Sequence, residues 1–91
     1  MGSTTITSAT KESDGNVYVC GRGPANTAIY LSKDGHGAEF GRGMTDNCGN
    51  FRINAGQRGS DVYDWVVIAL NCGVMNEAQD EWSQKYRLTV Y

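Results

Sequence analysis

The sequence predicts an all-β protein, a two-layer antiparallel sandwich of about seven short strands. Three observations carry this. Glycine is frequent and dispersed, 12 of 91 residues against the single proline Pro24, and glycines spread between short apolar runs mark many turns. Thr45-Asp46-Asn47-Cys48-Gly49-Asn50-Phe51-Arg52-Ile53 reads as a tight turn feeding a strand. Asp46 and Asn47 can bond their own backbone, Gly49 can take positive φ, and Phe51 and Ile53 then alternate with polar neighbours. Finally, Val62 to Asn71 is apolar at nearly every position, the mark of a strand covered on both faces.

The elements follow in chain order. Ile6 is the only large apolar residue between Gly2 and Gly15, so residues 1–13 are expected to be an N-terminal arm or a first edge strand, and residues 14–91 a single sandwich domain. Asp14-Gly15-Asn16 is a turn. Val17 to Gly21 is a strand with Val17 and Val19 on one face. Gly21 to Asn26 is a loop, because Gly and Pro interrupt any ladder. In the strand Ala28 to Ser32, Ile29 and Leu31 face together. Lys33-Asp34-Gly35-His36-Gly37 is a turn, and Glu39 to Thr45 is a weaker strand broken by Gly41 and Gly43. Asn50 to Asn54 follows, then a loop from Ala55 to Ser60. In the long strand, Tyr63, Trp65, Val67 and Ala69 form one face and Val66, Ile68 and Leu70 the other. Asn76 to Trp82 has helical character, with Asn76 as cap and Gln79 closing a capping box, so a short helix is expected near 76–82. Lys85 to Tyr91 is the last strand.

Composition excludes several classes. Net charge is −2, without the basic footprint of a nucleic-acid binder. The longest apolar run, Trp65 to Leu70, is too short to insert across a membrane. Met1-Gly2-Ser3-Thr4-Thr5 lacks the basic and apolar segments of a secretory signal.

Val17-x-Val19-x-Gly21, Ala28-Ile29-Tyr30-Leu31, Thr45-Asp46-x-x-Gly49-x-Phe51-x-Ile53 and Tyr63-x-Trp65-x-Val67-x-Ala69, in that order, resemble bacterial immunoglobulin-like modules. They are most similar to the carboxypeptidase-regulatory-like, or transthyretin-like, sandwiches, over roughly residues 16 to 71. The resemblance implies a largely non-enzymatic role as spacer, adhesion element, sugar-binding module, or decoration of a cell surface or virion. The connection from Asn71 to Gln84 is longer and more acidic than such modules have, and the cysteines are not part of their pattern.

Each cysteine precedes a glycine: Cys20-Gly21, Cys48-Gly49, Cys72-Gly73. A Cys48–Cys72 bridge would tie two neighbouring loops and a Cys20–Cys72 bridge would join the sheets; three thiols, at least one unpaired, is the plainer reading. A zinc site would need His36 as fourth ligand, and no C-x-x-C pair exists. His36, the only histidine, is placed at the other end from the cysteines, which leaves no nucleophile–base pair. No catalytic residue, metal or cofactor is therefore assigned.

Val66, Ile68 and Leu70 on an outer sheet face would make an exposed patch that monomers avoid. Either they form a partner interface, in a homo-oligomer or a larger protein assembly, or an N-terminal arm or the 72–84 connection covers them. Trp82, with Tyr86, is the candidate ligand contact, suited to stacking on a sugar ring; Tyr30 and Tyr91 add surface aromatics. The expected function is a non-enzymatic structural or interaction module of a virion or a cell surface. The alternative is a carbohydrate-binding module cut from a larger secreted enzyme or adhesin.

Overall fold

The computed structural model describes residues 4–33, 39–71, 74–78 and 82–91, with residues 71 and 74–78 described through their backbone alone. Strands β1 (Thr5–Lys11), β2 (Asn16–Arg22) and β5 (Asn50–Gln57) form one antiparallel sheet in the order β1-β2-β5. Strands β3 (Ala28–Lys33), β4 (Gly41–Met44), β6 (Asp61–Asn71), β7 (Val74–Ala78) and β8 (Tyr86–Val90) form the other, in the order β4-β3-β6, with β7 and β8 both paired to β6. The chain is an all-β sandwich of two antiparallel sheets.

Side-chain alternation puts the core between the sheets. Val17 and Val19 from β2, Phe51, Ile53 and Ala55 from β5, Ile29 and Leu31 from β3, and Tyr63, Trp65, Val67 and Ala69 from β6 form one buried cluster. Register fixes the inner face of the β6 sheet: Ile29 sits opposite Ala69 and Leu31 opposite Val67. Trp65 is at the centre of the aromatic end of this core. Its ring stacks on Tyr63 at 5.2 Å between centroids and meets Phe40 edge-on at 5.6 Å. Cations cap that end: Lys33 Nζ lies 5.1 Å from the Tyr63 ring and the Arg58 guanidinium 4.7 Å from Phe40. The Tyr63 hydroxyl donates to the Gly59 carbonyl at 2.9 Å and pins the chain as it enters β6.

The glycines of β4 do not break it. A side chain at Gly41 or Gly43 would stand 2.8 or 2.9 Å from Ile53, so bare backbone is what allows this edge strand to lie against β5. The strand β5 runs three residues past Asn54, to Gln57, into the expected loop. The helix expected near 76–82 is corrected in part: Asn76, Glu77 and Ala78 belong to β7. So short a helix cannot stabilise itself, whereas pairing along β6 satisfies the backbone. Trp82 is outside any helix, and residues 79–81 lie outside the described residues.

The turn before β5 has the chemistry its residues encode. Asp46 Oδ1 accepts from the backbone N–H groups of Asn50 and Cys48, each at 2.9 Å. Thr45, buried, donates its hydroxyl to the Pro24 carbonyl and accepts from Thr27 N–H, joining this turn to the loop after β2. The donors from Asn50 and then Cys48 hold the Asp46 carboxyl below its ordinary value. A pKa depressed in the folded state gives stability that is present above the unfolded value and lost as pH falls through the folded one. Asp14 is lowered in the same way by Asn16 and the Tyr18 hydroxyl, and Asp64 by its hydrogen bond from Arg87. Acid titration below the ordinary aspartate range, about pH 4, is thus expected to lower the stability of the protein progressively. Asp46→Asn keeps an acceptor oxygen and is expected to flatten part of that acid limb, whereas Asp46→Ala lowers stability at neutral pH as well. Far-UV circular dichroism as a function of pH reads both.

Candidate functional site

The outer face of the β6 sheet is the candidate site, and β6 explains it. Its Val66, Ile68 and Leu70 point away from the core, beside Ser32 and Tyr30 of β3. Tyr30, Ile68 and Leu70 form a second buried cluster, with Ala28 packed against it. The sequence places a partner interface at Val66, Ile68 and Leu70. The single chain leaves them only 7%, 4% and 1% exposed, so these side chains are already removed from water without a partner.

Part of that cover comes from the chain after β6. Strand β8 pairs with β6 from Asp61↔Val90 to Trp65↔Tyr86, and Ser83 continues the edge, its N–H donating to the Val67 carbonyl at 2.8 Å. Further along β6, Leu70 pairs with Ala78, a slip of three residues from the β8 register. Trp82 stands at this interruption. Its ring meets Tyr30 edge-on at 5.9 Å, on the outer face, and remains 37% exposed. The atypical length of the connection thus places an indole over the second cluster.

Trp82 and Tyr86 do not share a surface. Tyr86 pairs with Trp65 and is partly buried against the core, so it is removed from the candidate ligand contact. Tyr30, also expected as a surface aromatic, is buried, with the Arg42 guanidinium 5.7 Å from its ring. Tyr91 is exposed.

The sequence reading missed Met44. It shares the outer face with Arg42, because Met44 pairs with Ala28 and Arg42 with Tyr30, and it is 61% exposed. The signal was the alternation Gly41-Arg42-Gly43-Met44: once the small glycines face β5, Arg42 and Met44 must face out. Val62, on the same side of β6 as Asp64 and Val66, is also exposed. Arg87 binds Asp64 through two nitrogens, at 2.8 and 3.2 Å, beside it.

The outer face of the β2 sheet is different in kind. Tyr18, Cys20 and Arg22 of β2 alternate with the core valines, and Asn54, Arg52 and Asn50 of β5 lie opposite them. Arg52 stacks its guanidinium 3.7 Å from the Tyr18 ring centroid and reaches Glu12 at 3.9 Å. This is a polar, mutually satisfied surface.

Cys20 is a half-buried and Cys48 an exposed free thiol, and the expected Cys48–Cys72 pair has its second cysteine outside the described residues. Cys48 sits at the turn tip, where Asp46 and Arg22 fix its backbone. Cys72 and His36 lie outside the described residues, and with them the Cys20–Cys72 and zinc readings. Among the described residues no three His, Cys, Asp or Glu side chains come together as a metal site, and no helix is long and apolar enough to cross a membrane. The carboxylates with shifted pKa values, Asp14, Asp46 and Asp64, are all shifted down by donors from their own turn or cross-strand neighbour.

The fold and this face define a small β-sandwich module with one polar and one partly apolar outer surface. No family model, curated protein or solved structure matches the chain.

Proposed function

We propose that this chain is a non-enzymatic structural or interaction module, an immunoglobulin-like sandwich that docks into a larger surface assembly through the outer face of its β6 sheet. The virion and the cell surface are the settings that the resemblance favours. The observation that carries the reading is one-sided exposure: Met44, Val62 and Trp82, three of the four exposed large apolar side chains described, belong to that face. Trp, Met and Arg are the residue types enriched in interface cores, and Arg42, two residues from Met44 on β4, lies beside the Tyr30 ring that Trp82 also meets. The immunoglobulin-like assignment is supported by the sheet order, with β1-β2-β5 facing β4-β3-β6, and by Tyr63. A tyrosine near the start of a core strand that bonds backbone a few residues upstream is a corner found in such sandwiches.

Sedimentation equilibrium tests the simplest form, assembly with a second copy. Self-association at high concentration is expected, weakened about 10-fold or more by Met44→Glu or Trp82→Ala. A strict monomer that neither substitution alters would sink self-assembly through this face. Val66, Ile68 and Leu70 are unsuitable probes, since charging a buried side chain unfolds the domain instead.

A second reading rests on Trp82 alone. A half-exposed indole held edge-on by Tyr30 is a platform for a sugar ring. Under this reading a glycan array gives a signal that Trp82→Ala abolishes and Val62→Ser, at the far end of the face, leaves intact. Absence of any glycan signal leaves the docking role alone.

A further inference from the structure

We draw no further inference here: the strongest candidate, the exposed patch of Met44, Val62 and Trp82 on the outer face of the β6 sheet, belongs to the surface already described, and nothing in the structure shows what covers it.

Discussion

Trp65→Ala is expected to destabilise the protein by about 3–5 kcal/mol, the range for removing a fully buried aromatic side chain from a packed core. A domain of this length has a total stability of roughly 5–14 kcal/mol, so the variant loses a large fraction of it. The size of the loss follows from the surroundings. Trp65 is fully buried, stacked on Tyr63 on one side and meeting Phe40 edge-on, with β2, β5 and β3 supplying the rest of the cluster. Those neighbours belong to strands whose ladders fix them, so collapse into the vacated space is limited. Urea denaturation followed by circular dichroism should show a midpoint lower by about 2 M, with little change in slope. Trp65→Phe is expected to be much milder. It keeps an aromatic ring for Tyr63 and removes an indole N–H that has no acceptor among the described residues. Deleting a buried donor that is already unpaired removes its desolvation cost and so offsets part of the lost packing. If Trp65→Ala cost less than about 1 kcal/mol, the range of an ordinary surface change, the core would not lie between these two sheets.

Trp65 also shows why so much of the fold was legible. The residues at 63, 65, 67 and 69 were assigned to one face by alternation alone, and burial of that face follows from it. The turn at Thr45–Gly49 was equally readable, because Asp and Gly act there through local chemistry that needs no tertiary partner. What alternation could not decide was the other face of β6. Val66, Ile68 and Leu70 are apolar whether a second molecule or the chain's own later segment covers them. Only the three-residue slip between β8 and β7, a property of pairing register, places Trp82 over Tyr30. Local signals also misled at Asn76–Ala78, where a capping pattern suggested a helix and a free edge of β6 won. Met44 was overlooked for a related reason: in a strand half made of glycine, facing direction is set by what the glycines touch on β5.

Gly49→Ala is expected to be the most damaging single-methyl addition in the turn region. The backbone at Gly49 has φ +83°, a conformation that costs an L-residue about 1–2 kcal/mol. Space is the second cost. A Cβ there would lie 2.4 Å from the Gly23 carbonyl oxygen, and the neighbouring backbone is tied in place by the Gly23 N–H, which donates to the Gly49 carbonyl at 2.8 Å. Relief requires the loop after β2 and the turn before β5 to separate. That would strain the Thr45 contacts with Pro24 and Thr27 as well. Together the two costs should reach about 2–4 kcal/mol, a fall in Tm of roughly 10–20 °C for a domain of this size. Gly15→Ala separates strain from crowding. Gly15 has φ +87°, yet the nearest atom to its Cβ would be a Gln57 side-chain nitrogen at 3.7 Å, an ordinary contact. It should therefore show the backbone strain alone, about half the loss or less. Equal falls in Tm for the two variants would mean that the close approach of Gly49 to Gly23 is absent in solution. A larger fall for Gly49→Ala locates the junction between the sheets at this turn, where a single hydrogen atom in place of a methyl group lets two strands from one sheet and the loop toward the other meet.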